Sequence, residues 1–344
     1  LIDELRQMGF KVVLWIVPYV SLNCPSAAHL KERDALIRDK NGEFITAKWF
    51  NGESYALDFT KPYANEWMKS QLDRLRASYN ISGFKFDCGD AQFLPKSYAF
   101  ANEQNLLWAK SMNIENDDAI LELRSCYKYG GVNCIQRLAD KAHCWSVEHA
   151  YNGEYSDRLY LRYGLLSVLP AVLTQGITGY YYSCPDMVGG GLAADFNEGM
   201  LDDELIIRSC QCSALMPSIQ FSYPMWISKN PDVRECMRKC LDIREKFTDY
   251  IMKLAREAAV SGIPIVRYME YEFPHSNLEN VATQFMLGDT YLVAPVLNKG
   301  QTQKRIYFPP NTRWREFGGS REFGPGVCLY DVNLQSLPIF ERIG

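Results

Sequence analysis

The sequence predicts a (β/α)8 TIM barrel that lacks its first two strands, followed by a small all-β sandwich domain. Short apolar segments alternate with longer helical segments up to about residue 275, which is typical of βαβ units around a parallel sheet. Six such strands are counted there, so two strands of a closed barrel are expected upstream of Leu1. Beyond Tyr271 the segments are short and separated by Gly, Pro and Asn turns, which indicates an all-β domain.

The predicted helices and strands follow one another in a regular order. They are helix Leu1–Met8, strand Lys11–Pro18, helix Pro62–Tyr79, strand Gly83–Gly89, helix Ser97–Asn113, strand Ala119–Arg124, a short segment Cys134–Asp140, helix Arg158–Gln175, strand Thr178–Ser183, helices Asp203–Met216 and Pro231–Ala259, and strand Pro264–Tyr271. A long loop is expected between the first strand and Pro62. We therefore predict a partial catalytic barrel over residues 1–275 and a C-terminal β-sandwich over residues 285–344.

Composition and charge exclude several classes of partner. The 344 residues are 47% hydrophobic and 23% charged, with a net charge of -4 and no basic block, which argues against nucleic-acid binding. No apolar run reaches transmembrane length, so no membrane contact is expected from this segment. The eleven cysteines have no paired CxxC spacing, and neither a metal nor a cofactor is expected. The disulfide state and the oligomeric state stay open.

Polar side chains collect at the C-terminal ends of the predicted strands. They are Asp87, Asp90, Arg124, Asp140 and Asp186. In a barrel these strand ends converge on one pocket. Taken singly, each residue is better explained as a solvated strand end. Trp15, Trp145 and the Tyr180–Tyr182 run are candidates for the pocket walls.

Two carboxyl groups in an aromatic pocket without a metal suggest glycoside hydrolysis. One carboxylate must be ionised to attack the anomeric carbon, and the other group must hold a proton for the leaving oxygen. Lys85 or Arg124 beside Asp87 would keep that carboxylate ionised. Burial beside Trp145 would favour the protonated form of Asp140.

The run Gly83-Phe84-Lys85-Phe86-Asp87-Cys88-Gly89-Asp90 resembles the nucleophile segment of glycoside hydrolase family 31, the retaining α-glycosidases. Further segments resemble this family in the same order along nearly the whole chain. They are Leu123-Arg124-Ser125, Arg137-Leu138-Ala139-Asp140 with Trp145, Pro185-Asp186-Met187-Val188-Gly189-Gly190, Gly262-Ile263-Pro264-Ile265-Val266-Arg267, Gln284-Phe285-Met286-Leu287-Gly288 and Leu292-Val293-Ala294-Pro295-Val296.

The resemblance implies a retaining exo-α-glycosidase acting on a carbohydrate substrate through a covalent glycosyl-enzyme. It implies Asp87 as the nucleophile and Asp140 as the acid/base. Asp157 is an alternative acid/base, although its position before a helix also suits an N-cap. The residues expected to bind substrate are Trp15, Lys85, Asp90, Arg124, Trp145 and Asp186.

Departures from the family pattern leave two questions open. Ala139 and Lys141 replace the residues usual beside the acid/base, so the alternative is an inactive member that binds a sugar or a partner. The segment Met216–Ser222 lacks the His of the glucosidase members, which favours an α-galactoside-like substrate. The acceptor pattern Asn80-Ile81-Ser82, together with the family, favours the secretory lumen or the extracellular space, with any anchor or signal upstream of Leu1.

Overall fold

The computed structural model describes residues 1–112, 119–146, 148–151, 159–191 and 201–344. These residues fall into two compact units. The first unit is formed by Leu1–Gln136 together with Tyr151 and Leu159, and the second by Arg137–Ala150 together with Tyr160–Gly344.

The first unit contains short strands and four helices. The strands are β1 (Val13–Ile16), β2 (Tyr19–Ser21), β3 (Thr46–Trp49), β4 (Gly52–Ala56), β5 (Gly83–Phe86), β6 (Ile120–Leu123) and β7 (Ile135–Arg137). The helices are α1 (Ile2–Gln7), α2 (Pro25–Glu32), α3 (Pro62–Tyr79) and α4 (Ala101–Lys110), with a 3-10 turn at Ala91–Phe93. The predicted helix Pro62–Tyr79 is confirmed at both ends.

Strands β1, β5, β6 and β7 form a parallel sheet in that order. Its register places Lys85 opposite Trp15 on one side and opposite Glu122 on the other. The neighbours Phe84 and Phe86 are fully buried in the core of this unit. Because side chains alternate along a strand, Lys85 lies on the opposite face from the two phenylalanines. The predicted strand from Gly83 is therefore confirmed, and it ends directly before Asp87.

A second, antiparallel sheet occupies the stretch predicted as a loop. Strands β2, β4 and β3 pair in that order, and β3 and β4 form a hairpin. The prediction of a loop was wrong here. Asn51-Gly52 lies at the hairpin turn, and this dipeptide between short runs is a recognised hairpin signal. Gly52 adopts a φ of 86°, which a residue with a side chain rarely does.

Helices and short strands alternate in the second unit as far as α8, and only strands follow. These elements are α5 (Val168–Ile177), β10 (Ser183–Cys184), β11 (Met187–Val188), α6 (Asp203–Ser213), β12 (Gln220–Phe221), α7 (Pro231–Ser261), β13 (Val266–Arg267), α8 (Met269–Glu272), β14 (Phe285–Leu287), β15 (Tyr291–Val293), β16 (Gln303–Phe308), β17 (Trp314–Glu316), β18 (Glu322–Phe323), β19 (Gly326–Asp331) and β20 (Ile339–Arg342). 3-10 turns lie at Leu165–Ser167 and Met225–Ile227. Strands β8 (Glu148–Tyr151) and β9 (Leu159–Arg162) pair with each other.

Helix α7 is the longest element, with 31 residues. The Asn230 side chain accepts a hydrogen bond from the Asp232 amide at its start, with Pro231 in the first turn. Gly262 ends it in the left-handed conformation with a φ of 71°. The predicted helix Pro231–Ala259 begins at the observed first residue and ends two residues before the observed end. None of the helices in the described ranges is both long and apolar enough to span a bilayer.

The end of the chain is an all-β region, as predicted. Six strands form one sheet in the order β13-β14-β15-β20-β17-β18, and β16 pairs with β19 in a separate antiparallel ribbon. Its core is formed mainly by Met286, Ile306, Phe308, Trp314 and Phe340.

Three further predicted elements were wrong. The strand expected over Thr178–Ser183 is only β10, which begins at Ser183. The strand expected over Pro264–Tyr271 is only β13, and it pairs antiparallel with β14, so it belongs to the C-terminal sheet and not to the barrel. The helix expected over Arg158–Gln175 is interrupted, because β9 precedes Gly164 and the helix begins only at Val168. A Cβ on Gly164 would lie 2.3 Å from the Cys144 carbonyl oxygen. The backbone of residue 164 therefore packs too closely against Cys144 to carry a side chain. A short apolar run in the sequence specifies neither the strand with which it pairs nor whether it forms a strand or a helix.

Candidate active site

Asp87 lies immediately after β5, and both of its carboxylate oxygens are held by donors. The indole Nε1 of Trp15 donates to Oδ2 at 2.8 Å. The Arg124 Nε and the Cys88 amide donate to Oδ1 at 2.5 Å and 2.8 Å. The side chain is 13% exposed. Three donors at a partly open carboxylate stabilise its ionised form and fix its orientation.

Arg124 connects Asp87 to a second acid. Its Nη1 and Nη2 donate to the two carboxylate oxygens of Asp90 at 3.0 Å and 2.8 Å, a bidentate pair. Burial raises the pKa of Asp90, and Arg124 opposes that rise. The planar guanidinium thus lies between two carboxylates and sets the position of both.

The backbone after Asp87 turns sharply. Cys88 and Gly89 both have positive φ, at 58° and 77°. A Cβ on Gly89 would lie 2.5 Å from Cδ1 of the buried Trp108, so this position requires glycine. Asn105 Nδ2 donates to the Gly89 carbonyl at 2.9 Å, and the Gly89 amide donates to the Tyr19 hydroxyl at 3.2 Å. The carboxylate therefore sits on a backbone that is fixed from several sides.

Aromatic rings cluster around Trp15, which contacts Asp87. The Trp15 and Trp49 rings stack with centroids 6.2 Å apart, and Phe50 lies 6.1 Å from Trp15. Trp49 is buried, whereas Trp15 and Phe50 are largely exposed, Phe50 by 59%. An exposed aromatic surface next to a carboxylate suits the apolar face of a sugar ring.

Lys85 pairs with an acid on the neighbouring strand. Its Nζ pairs with Oε1 of Glu122 on β6 at 3.2 Å. The strand register places Lys85 and Glu122 side by side on the same face of the sheet. Of the two cations that the sequence offered as partners of Asp87, Arg124 donates to it directly.

A second cluster of charges, in the other unit, contains Asp140 and Asp186. Arg137, which is almost completely buried, donates from Nη1 to Oδ1 of Asp140 at 2.9 Å and also to Oδ1 of Asp186. The Asp140 side chain is 35% exposed, whereas Asp186 is fully buried. Burial raises the pKa of Asp186, and the Arg137 guanidinium and the Lys141 amide oppose that rise.

Tight backbone packing holds this cluster together. The Lys141 amide donates to Oδ2 of Asp186 at 2.6 Å, and the Gly191 amide donates to the Lys141 carbonyl at 2.7 Å. A Cβ on Gly191 would lie 2.8 Å from Oδ2 of Asp186 and 3.0 Å from Cβ of Asp140. The Lys141 side chain is buried, and that burial lowers its pKa. Glycine at position 191 thus allows the two acidic segments to approach each other.

Trp145 contacts a different acid from the one expected. Its Nε1 donates to Oδ2 of Asp202 at 3.0 Å, and Lys299 donates to the same oxygen at 2.8 Å. Asp202 also caps helix α6, where its Oδ1 accepts from the Leu205 amide at 3.3 Å. The indole Nε1 thus binds the helix cap, whereas Asp140 binds Arg137, and the expected burial of Asp140 beside Trp145 stays a prediction.

Three residues that the sequence analysis passed over belong to these clusters. Arg137 joins two acids, Phe50 lies beside Trp15, and Asn105 fixes the turn after Asp87. Arg137 stands three residues before Asp140, and this spacing was the available signal. The alternative acid/base Asp157 lies outside the described residues. No group of three or more His, Cys, Asp or Glu suited to a metal occurs in the ranges the structure describes.

All eleven cysteines are among the described residues, and none of them forms a disulfide. Cys88 follows Asp87 directly and is buried. Burial raises the pKa of the Cys88 thiol to about 12, and Asp87 adds to that rise. This thiol is therefore protonated at neutral pH and is not a competing nucleophile.

The chain matches the glycosyl hydrolases family 31 TIM-barrel domain over residues 1–254 and the glycosyl hydrolase family 31 C-terminal domain over residues 262–344. It therefore belongs to glycoside hydrolase family 31. The barrel followed by an all-β domain is thereby confirmed, while the predicted boundaries at 275 and 285 stay predictions.

Individual relatives agree with this assignment. The chain is 32% identical to the myogenesis-regulating glycosidase of Mus musculus, over 98% of this chain and 47% of that protein. It is 24% identical to a sulfoquinovosidase of Agrobacterium fabrum, over 99% of this chain and 52% of that protein. A dextranase structure from Flavobacterium johnsoniae shares the fold, with a TM-score of 0.82 and 20% identity over 99% of this chain and 44% of that one. The chain thus spans about half the length of these relatives.

Proposed function

We propose that this chain carries the catalytic machinery of a retaining α-glycosidase with Asp87 as the nucleophile. The observation that carries this proposal is the environment of Asp87. Three donors hold its carboxylate ionised and oriented, and exposed aromatic rings lie beside it. A nucleophilic carboxylate needs this combination, because it must be charged and must meet the sugar at a fixed angle.

In the proposed reaction, an oxygen of Asp87 attacks the anomeric carbon and the bond to the leaving oxygen breaks. The acid/base gives its proton to that oxygen, so the aglycone leaves as an alcohol. The acid/base then removes a proton from water, and the resulting oxygen attacks the anomeric carbon and releases Asp87. The sugar is freed with its original anomeric configuration.

Asp140 is the proposed acid/base, with Asp157 as its competitor. Trp15 and Phe50 offer a surface for the sugar ring. Asp186 is fully buried and bonded to Arg137, so its proposed contact with ring hydroxyls requires access that opens on binding.

The α-galactoside preference stays a prediction. None of the three relatives named above is called a galactosidase, and the dextranase structure is described as complexed with glucose. The substrate panel should therefore contain α-glucosides, α-galactosides and α-sulfoquinovosides on an equal footing.

One observation favours a second candidate, a family member that binds sugars without cleaving them. Asp140 is paired with Arg137 at 2.9 Å. In the proposed reaction this side chain must reach the leaving oxygen, and the contact holds its Oδ1 on the Arg137 guanidinium.

The deciding experiment combines turnover with covalent trapping. The full-length protein is incubated with 5-fluoro-α-glucosyl and 5-fluoro-α-galactosyl fluoride, and the peptide that contains Asp87 is examined by mass spectrometry. We expect a glycosyl adduct on Asp87, and loss of both adduct and turnover in Asp87→Asn. Asp73→Asn on the exposed face of α3 is the matched control and should behave as wild type. Sugar binding without an adduct or turnover would support the non-catalytic candidate.

A further inference from the structure

Trp226 is the most exposed tryptophan side chain among the described residues, at 76%. It lies in the middle of the 3-10 turn Met225–Ile227, which follows β12. No ring stacking or cation–π contact of Trp226 occurs among the described residues. A large amphipathic side chain left in solvent is a candidate for ligand contact, because burying it in the protein would be favourable.

The turn that carries Trp226 is fixed to its surroundings. The Ile227 amide donates to the Pro224 carbonyl and the Ser228 amide to the Met225 carbonyl, both at 3.2 Å. Arg234 on α7 donates to the Ser228 carbonyl at 2.6 Å. The indole is therefore presented on an ordered backbone, and a ligand that stacks on it does not have to order the loop first.

The residues just before this turn contact the segment that follows Asp186. Strand β12 runs parallel to β11, and the Tyr223 amide donates to the Val188 carbonyl at 3.1 Å. The Ser222 hydroxyl donates to the Gly190 carbonyl at 2.6 Å. Trp226 is three residues beyond Tyr223, so the two Cα atoms are at most about 11 Å apart.

This segment in turn lies against Asp140. The Gly191 amide is bonded to the Lys141 carbonyl, and a Cβ on Gly191 would lie 3.0 Å from the Cβ of Asp140. The path from Trp226 to the candidate acid/base therefore runs through β12, the Gly190 carbonyl and Gly191, all within one compact unit. A general acid acts on the leaving oxygen, so the leaving group is the part of the substrate nearest to this side.

We propose that Trp226 is a stacking platform for the leaving-group sugar of an α-linked substrate, an assignment that rests on the function proposed above. The apolar face of a pyranose packs on the indole, and the hydroxyl groups at its edge stay in water. A sugar fits this patch better than a protein does. Trp226 and Ile227 are its exposed apolar members, whereas a specific protein interface usually buries more than about 1,000 Å² in total.

The test compares leaving groups in the full-length protein. The values of kcat/KM for wild type and Trp226→Ala are measured on isomaltose, maltose and melibiose, and on α-glucosyl and α-galactosyl fluoride. Fluoride has no ring to stack, so the fluoride values should be unchanged within about twofold. We expect a loss of roughly three- to tenfold on the disaccharides, from the usual strength of an aromatic stacking contact. Trp226→Phe should recover most of that loss, and Phe100→Ala, another exposed aromatic residue, should have no effect on either substrate class.

Equal disaccharide values in wild type and Trp226→Ala, with fluoride turnover intact, would overturn the platform and leave the glycosidase assignment standing. If the wild type hydrolyses neither class, the glycosidase assignment fails, and calorimetric binding of the three disaccharides decides the role of Trp226. In that case weaker binding by Trp226→Ala supports the platform. Unchanged binding, or no binding by the wild type, overturns it.

Discussion

The two acidic clusters of this chain differ in how an arginine contacts their carboxylates. Around Asp87, one guanidinium serves two carboxylates with separate N–H groups, and an indole and a backbone amide complete the set. Around Asp140, a single Nη1 of Arg137 serves both Asp140 and the fully buried Asp186. The first arrangement orients an ionised group for attack. The second places the candidate acid/base and a buried carboxylate on the same guanidinium nitrogen.

The largest effect is expected from Arg124→Met. This change removes one hydrogen bond to Asp87 and two to Asp90, and it leaves two partly buried carboxylates to repel each other. We expect kcat/KM on α-glycosyl fluorides to fall on the order of 10³-fold or more, in keeping with residues that act as a unit. The initial rate of fluoride release gives this kcat/KM value.

Arg124→Lys is the matched variant, because it keeps the charge and loses the bidentate geometry. It should recover only part of the activity, and thermal unfolding should show that it remains folded. A full recovery by lysine would show that charge alone is needed at this position. Activity of Arg124→Met within tenfold of wild type would contradict the role assigned to the Asp87 cradle, the set of contacts that Arg124 makes with Asp87 and Asp90.

A smaller and more selective effect is expected from Asp140→Asn. If Asp140 is the acid/base, substrates with a poor leaving group, such as methyl or sugar glycosides, should lose about 10² to 10⁴ in kcat/KM, the usual contribution of a positioned acid. Glycosyl fluorides need less proton donation and should lose much less in the first step. The ratio of the two losses is the measurement, because a merely structural defect lowers both alike.

Two companion variants make this prediction decisive. Asp157→Asn tests the competing acid/base by the same ratio. Arg137→Met removes the cation that Asp140 shares with Asp186, and its effect shows whether that ion pair is needed to place the acid. If Asp157→Asn shows the leaving-group dependence and Asp140→Asn does not, the assignment of Asp140 is wrong.

The same contrast explains what the sequence could and could not predict. The Asp87 segment is a short strand with alternating Phe84 and Phe86, followed by Gly89 at a turn, and each of these features is local. Arg124 was found because it ends the next strand of a parallel sheet. The contact between Arg137 and Asp186 joins residues that are far apart in the chain. The contact between Trp145 and Asp202, the cap of α6, is also distant in sequence, so neither could be predicted from a local pattern. Strand β13 was misassigned because its partner, β14, is identified only by the folded sheet.

The smallest effect is expected on stability, from substitution of the closely packed glycine in each cluster, Gly89 beside Asp87 and Gly191 beside Asp140. Gly89→Ala places a Cβ 2.5 Å from the buried Trp108 ring at a φ of 77°, so neither the backbone nor the ring accommodates it easily. We expect a loss of about 3 kcal/mol in the free energy of unfolding, from overpacking and backbone strain together. Gly191→Ala meets Oδ2 of Asp186 at 2.8 Å without positive φ, and about 1–2 kcal/mol is expected from overpacking alone. Gly324→Ala is the control, since a Cβ there has no neighbour within 4 Å. Urea unfolding measures all three, and a larger loss for Gly191→Ala than for Gly89→Ala would mean that the Asp140 cluster, and not the Asp87 cradle, is the more rigid of the two.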